Sequence, residues 1–492
     1  MKQKIKEIAI KSFLASVILI FFVVILTLAI LSSQGNTINS EGNVVSTSVL
    51  RLNVVPKVDI KAYLNDQEVK VNFDKIEWVN PGLIELKVHS RGFKEWKKTI
   101  DVKPGSVVDI FVQLLPLNVN VVKITDSDVF RAQISESGED LYFLVNSSKD
   151  ERDKALWRLR LNRSLLNFAA SEPTKLEIDK DVIGRLLGAD DLQMILSDDK
   201  QAVLFISMKH NFCFVIDVNT SKVIEISPTF RFPELQFVEF LRGSTSLLIQ
   251  SKDALIEYEL KTSRSYLVTN SISNYDFSKS GEEVFLLSKD NNNSQIFVYK
   301  YGLVNELRQF SLDLYNLITS SITNQLSRIK KIESYGNVYL FYLDDERVFW
   351  VDMSNGSVEQ LEFKSIRYIS KDLRYLIGKN SQGVQKAVSI ESRQGGKINK
   401  FTENEIDLEE GIKILKSSKN NKVLFFALNN EGADQLWKID SDGQNRQILY
   451  NDATETIVDF WIEASNQQVY VLLKNKDSKT SNVYKISLTQ QD

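Results

Sequence analysis

The strongest constraint on this chain is that it repeats itself. The stretch Gln435–Leu449, QLWKIDSDGQNRQIL, has counterparts in ALWRLRLN from Ala155, QIFVYKYG from Gln295, RVFWVDMSNGSVEQL from Arg347 and NVYKISL from Asn482. Each is an apolar-aromatic pair followed by period-two alternation, the pattern of a half-buried β-strand. Ahead of them recurs a second unit, a weak strand, a polar turn and a strongly apolar strand. It starts near Arg131, Leu192, Leu235, Asn274, Ile329, Ile366, Ile414 and Val458. Units of two such halves, recurring at roughly 37 to 64 residues, close to the 40–50 of a four-stranded propeller blade, predict an all-β fold. A β-propeller is expected over residues 117–492, with eight blades and seven as the alternative count. Apolar blade faces must stack on one another, so Trp157, Trp350 and Trp437 are expected to pack between blades.

The turns inside these units carry a resemblance. Ser135-Glu136-Ser137-Gly138-Glu139, Ser278-Lys279-Ser280-Gly281-Glu282 and Asp440-Ser441-Asp442-Gly443 are similar to the turns of TolB-like, or WD40-like, propeller repeats of bacterial envelope proteins. The resemblance implies architecture rather than chemistry. The hairpins at Asp217–Lys222 and Asp352–Ser357 resemble those of quinoprotein-like propellers, but Glu225-Ile226 and Gln360-Leu361 stand where those repeats close with tryptophan, so no quinone cofactor is expected.

The N-terminus sets the compartment. Residues 13–31, FLASVILIFFVVILTLAIL, carry no charge, and a run of about 20 apolar residues is what an α-helix needs to cross a bilayer. A transmembrane helix is expected there, because LAILSSQGN after it lacks the small-residue pattern of a signal-peptide cleavage site. Lys2, Lys4, Lys6 and Lys11 precede it and nothing basic follows until Arg51, so residues 1–12 are expected to be a cytoplasmic tail and the bulk of the chain extracytoplasmic. Residues 32–48, rich in Ser, Asn and Gly, read as a flexible tether.

Residues 49–116 consist of short alternating runs, LRLNVVP, VDIKAYLND, LIELKVHSRGF, KKTIDVKPG and SVVDIFVQLLP, which predict a small β-domain. Its turns at Asn80-Pro81-Gly82 and Lys103-Pro104-Gly105 join a fixed φ to a residue that tolerates a positive one. With Pro56, Val58, Ile60, Tyr63-Leu64-Asn65-Asp66 and Arg91-Gly92-Phe93-Lys94-Glu95-Trp96, the stretch resembles a PEGA domain, although the naming tetrapeptide reads Pro56-Lys57-Val58-Asp59. The resemblance implies a non-enzymatic module. Trp96 after the glycine turn is expected to plug the small core, the alternative being a sugar-stacking platform, and His89 is expected to be solvated.

Composition narrows the chemistry. The net charge is −3, a poor match for nucleic-acid binding, which favours a basic face. Cys213 is the one cysteine; between Phe212 and Phe214 it reads as a buried structural thiol. With His89 and His210 the only histidines, no metal site and no histidine-based catalysis is expected. Asp440, Asp442 and Asn445 could be half of a calcium loop, but a downstream bidentate carboxylate is missing and a hairpin turn accounts for them. Gly243-Ser244-Thr245-Ser246 lacks the second glycine of a nucleophile elbow.

The reading is therefore a non-catalytic, cofactor-free, membrane-anchored envelope protein that binds a protein or glycan, not nucleic acid. Alternatives are an accessory or sensor subunit of an envelope enzyme complex, or a propeller hydrolase or lyase with a carboxylate cluster in its channel. Second-to-third-strand loops and inter-blade connections share one rim, and the polar stretches 146–154, 289–294, 429–434 and 474–481, with 179–191 and 311–328, fall there. The last of these places Leu314, Ile318 and Ile322 at helical spacing, as a blade cap or a docking helix. Lys149, Arg152, Leu314, Ile318 and Ile322 are the candidate partner-binding residues.

Overall fold

The computed structural model describes residues 17–23, 25–26, 36–38, 44–126, 128–135, 138–147, 153–161, 173–226, 235–242, 245–251, 254–270, 275–280, 283–288, 296–300, 308–309, 329–335, 338–343, 346–352, 354, 357–370, 372–391, 400–463 and 465–489. Two compact units divide the chain, Met1–Val119 with Leu488–Asp492, and Asn120–Ser487.

In the first unit, residues 17–23 and 25–26 are helical and exposed. The rest of the apolar run lies outside the described residues, among which no helix is long and apolar enough to cross a membrane. The stretch expected to be a loose tether contains a hairpin instead, Asn36–Ile38 pairing with Val44–Ser46. From Ser48 on, seven strands form a three-stranded and a four-stranded sheet. Ser48–Val55 is central to the smaller sheet, antiparallel to Lys75–Val79 and parallel to Val107–Gln113. Its inward residues Leu50, Leu52 and Val54 meet Leu86, Val88 and Trp96 of the larger sheet in one core. Trp96 is 1% exposed, so it is the plug and not a platform.

The second unit contains, among the described residues, eight four-stranded antiparallel sheets. In chain order they are Val129–Lys175, Gln193–Glu225, Leu235–Asn270, Tyr275–Gln309, Ile329–Leu361, Ser365–Glu405, Ile412–Asp452 and Glu455–Ser487, the first to eighth sheets below. The eighth supplies only three of its own strands; the fourth is Asn120–Lys123, paired with Ser481–Ser487 from the other end of the unit.

Each sheet packs face to face on the next, because its central strands are apolar on both faces. Tyr142 and Leu144 of the first meet Val203 and Phe205 of the second, and Leu204 and Val215 meet Val238 and Leu247 of the third. Leu248 and Leu255 continue to Val284 and Tyr299 of the fourth. Strands Tyr275–Ser280 and Ile329–Tyr335 join the fourth to the fifth. Leu340 and Trp350 pack on Leu376 and Val388 of the sixth, and Tyr375 and Ile377 on Leu424 and Phe426 of the seventh. Asp434 of the seventh accepts the Ile457 N–H of the eighth at 2.9 Å, and Tyr470 and Leu472 of the eighth return to Leu141 and Phe143 of the first. The sequence of contacts is a closed ring, and the fold is a β-propeller.

The tryptophans lie at these seams. Trp350 is buried and donates its indole N–H to Leu373 O at 2.9 Å, while Trp157 and Trp437 pack against clusters shared by neighbouring sheets. The serine turns also have a common geometry. In Ser135, Ser197, Ser370 and Ser418 the hydroxyl oxygen accepts the backbone N–H five residues on, from Asp140, Ala202, Tyr375 and Val423. The fourth residue of each turn, Gly138, Lys200, Leu373 or Asn421, takes a positive φ.

Candidate functional site

Strand alternation brings each sheet's second-to-third hairpin to the same edge as the connection entering it. Two features of that edge are built from one hairpin and one connection each.

The first lies between the first and second sheets. The connection carries an α-helix, Lys180–Leu187, capped by the Asp179 carboxylate accepting Asp181 N–H and buried through Ile183 and Leu186. It delivers Asp190 and Asp191 to the hairpin that follows Ser207. Asp190 accepts from Lys209 Nζ at 2.5 Å and faces His210 Nε2 at 3.2 Å. Asp191 accepts from Ser207 Oγ and, at 2.8 Å, from Lys209 N–H. The Lys209 and then the His210 hydrogen bonds hold Asp190 down at about 2. Burial pushes Asp191 up, but its hydrogen bonds from Ser207 and the Lys209 backbone outweigh that and hold it low.

One ligand atom from each of Asp190, Asp191 and His210 lies within 4.8 Å of the others, so the donor set could be read as a cation site. The carboxylates are instead engaged by Lys209, Ser207 and His210, an ion-paired knot that closes the hairpin onto the connection. Nor is this a nucleophile with its base: buried Ser207 donates to Asp191, and the His210 ring faces Asp190. Among the described residues the other histidine, His89, is far away in the sequence, in the first unit, half-exposed, with Glu95 at 2.6 Å and Tyr63 edge-on.

The second feature is a cleft of about 550 Å³ between the sixth sheet's second-to-third hairpin and the connection that leads on to the seventh sheet. One wall is the hairpin Asn380–Val384, whose Asn380 side chain accepts the N–H groups of Gln382 and Val384 at 3.0 Å. The other is the connection from Glu405 to Glu410. Strand-like alternation along it buries Ile406 and Leu408 in the inter-sheet core and turns Glu405, Asp407 and Glu409 to the cleft. The Gln385 side chain accepts Leu408 N–H at 3.2 Å and pins the connection down. Lys379 pairs with Glu410 at 3.1 Å, and Arg446 with Glu409. Glu405 and Asp407 form no ion pair among the described residues, so the wall presents net negative charge.

Lys149, Arg152, Leu314, Ile318 and Ile322 all lie outside the described residues, as do residues 289–294 and 311–328. The stretch Asn429–Asp434, expected to be a long connection, is a tight hairpin: Asn430 pairs with Ala433 around Glu431 and Gly432, both at positive φ. The Asp440-Ser441-Asp442-Gly443 stretch is likewise a turn, with Asp440 bonded to Asn445 at 2.9 Å and paired with Lys438 at 3.2 Å, and Asp442 accepting Gln444 N–H. Cys213 is fully buried, which pushes its thiol up to about 12. Neither the aspartate knot nor the cleft was singled out from the sequence. The acid-apolar alternation of Glu403–Glu410 was the available signal for the cleft, whereas the knot joins residues that only the hairpin brings together.

No protein-family model matches this chain, and no curated protein does. Solved propellers are similar at low identity. The WD40 domain of SCAP from fission yeast is 12% identical, with 76% of this chain and 98% of that one covered and a TM-score of 0.46. Oligopeptidase B from Leishmania major is 11% identical over 72% of this chain and 54% of that one, TM-score 0.42. Oligogalacturonate lyase from Vibrio parahaemolyticus is 9% identical over 74% and 99%, TM-score 0.39. The class that the ring of sheets defines is the β-propeller, and it includes both binding domains and enzymes.

Proposed function

We propose that this chain is a membrane-anchored, non-catalytic binding protein whose eight-bladed propeller lies outside the membrane and takes a basic segment of a protein partner into the cleft between the sixth sheet's hairpin and the connection to the seventh. The observation that carries this reading is the wall Glu405–Glu410, which is fixed by two buried apolar residues while Glu405 and Asp407 stand exposed; Lys386 lies near enough to Glu405 to interact with it, and the wall still carries net negative charge. An anionic glycan would meet repulsion there; a lysine- or arginine-bearing peptide would gain from it. The anchor reading rests on the uncharged run 13–31 and the lysines before it. The PEGA-like reading of the small β-unit rests on its sequence motifs; Gly82 and Gly105 of its two Pro-Gly turns adopt the positive φ such turns ask for, +119° and +65°.

The test is a photo-crosslinker at position 407 in intact cells, alone and with Glu405→Lys. Crosslinking of one partner from 407 that Glu405→Lys abolishes supports the reading, provided the melting temperature stays put, since an exposed substitution of this kind costs within about 0.5 kcal/mol. A crosslink indifferent to charge at 405 overturns the cleft. Protection of the propeller from protease added outside the cells overturns the topology.

A further inference from the structure

At one end of the small β-unit the strand register gathers three pieces of chain. Ser48 pairs with Val79, Val49 with Val107 and Gly82 with Val102. The chain entry at Ser46–Ser48, the Asn80–Gly82 turn and the Lys103–Ser106 turn therefore share that end. Ser48 Oγ donates to Lys103 O at 2.6 Å and accepts Ser106 N–H at 3.2 Å. A Cβ on Gly105 would lie 4.0 Å from that of Ser46.

Three apolar side chains stand exposed there: Trp78 at 49%, Leu83 at 74% and Val107 at 57%. The register shift opposite Ser48–Leu50 turns both Glu77 and Trp78 outward between buried Ile76 and Val79, and Trp78 takes a φ of +61°. Each of the three lies next to one of the three chain segments that the register brings to this end, and a tryptophan left half-exposed in water loses the burial its large apolar ring would gain under a cover.

The hairpin says what the cover is. Asn36 pairs with Ser46, so the chain doubles back to lie beside this end of the unit. The uncharged run ends at Leu31, and the five steps from Leu31 to Asn36 reach at most about 17 Å even when extended. We propose that this end of the small β-unit rests on the outer membrane interface, with Trp78 and Leu83 seated among the lipid headgroups beside the emerging anchor. The inference rests on the anchor reading above. Tryptophan favours the headgroup level because its ring is apolar and its N–H is not, and the short link holds this end of the unit at a high effective concentration at the lipid surface. Exposed Glu77, Asp101 and Lys103 nearby give this end no strong charge of one sign, so the contact is with zwitterionic lipid and is apolar in character.

The test uses the full-length chain in phosphatidylcholine vesicles containing a phospholipid with a nitroxide on its headgroup. Buried Cys213 does not react, so a fluorophore can be attached singly at Leu83→Cys, at Val58→Cys on the opposite end of the unit, or at Ile20→Cys in the apolar run. The expected result is strong quenching at 83, clearly reduced by a further Trp78→Ser, and little at 58, with the label at 20 shielded from aqueous iodide. An unquenched label at 83 with the label at 20 shielded overturns the inference while the anchor stands, and leaves a protein as the cover. Equal quenching at 83 and 58 overturns it as well. A label at 20 open to iodide, with 83 unquenched, overturns the anchor and the inference together.

Discussion

Asp434 ties the seventh sheet to the eighth. It is 1% exposed and accepts from Asn429 at 2.6 Å, Lys413 at 3.0 Å and the Ile457 backbone at 2.9 Å. Burial pushes its carboxyl up, but these three donors outweigh burial and hold it below the usual range. Its contribution is thus present above the unfolded-state value, about pH 4, and is lost as pH falls through the lower folded value. Thermal melts between neutrality and about pH 3 should therefore show acid destabilisation that Asp434→Asn reduces. At neutral pH, Asp434→Ala should cost about 1–3 kcal/mol, because it leaves a buried backbone N–H without its acceptor. Gly138 offers a second comparison. Its φ is +71° and an added Cβ would meet Glu463 Cγ at 2.9 Å across the seam between the first and eighth sheets, whereas Gly383, at +80°, has nothing within 4 Å. Both alanine variants bear the strain of the left-handed region, roughly 1 kcal/mol, and Gly138→Ala should bear a packing cost in addition. Equal melting temperatures for the two would mean that the seam gives way freely.

Among the elements, those governed by local rules were legible in the sequence. The eight starts from Arg131 to Val458 each fall within or beside the first strand of a sheet, because period-two alternation and a serine turn are written within a dozen residues. Asn120–Lys123 was not legible: NVVK is too short to show a period, and its partner is at the far end of the unit. The Asn429–Asp434 loop was misjudged because polarity does not distinguish a long connection from strands that run on to a two-residue turn. Trp96 drew attention as an aromatic after glycine and is core, while Trp78 is exposed through a register shift that composition does not reveal. The cleft was half-written in Glu403–Glu410, but only the fold shows that Lys379 and Arg446 pair with Glu410 and Glu409, while Glu405 and Asp407 form no ion pair among the described residues. The closing strand carries its own prediction. A fragment from Leu117 should melt in one sharp transition, whereas a fragment from Ile124 should melt lower and more broadly, since the eighth sheet then ends in an unpaired edge.

At the scale of the whole ring, each sheet is packed between two neighbours, and no sheet can be spared. Deleting residues 455–487 uncovers Leu141 and Phe143 of the first sheet and the Asp434 side of the seventh, and strands Asn120–Lys123 without a partner. Such a chain should aggregate on expression, measured as loss of the soluble monomer in size-exclusion chromatography; a soluble monomer with native melting would mean the ring tolerates a gap. The same closure also sets a timetable for synthesis. Thr125, next to the closing strand, bonds Val483 across 358 residues of chain, an interval that takes a ribosome roughly 20–70 s to make. Throughout that time the first sheet lacks the cover of the eighth and NVVK lacks its partner, so a nascent chain stalled before Ser481 should be recovered with holdase chaperones in a pull-down, and one released beyond Ser487 should not.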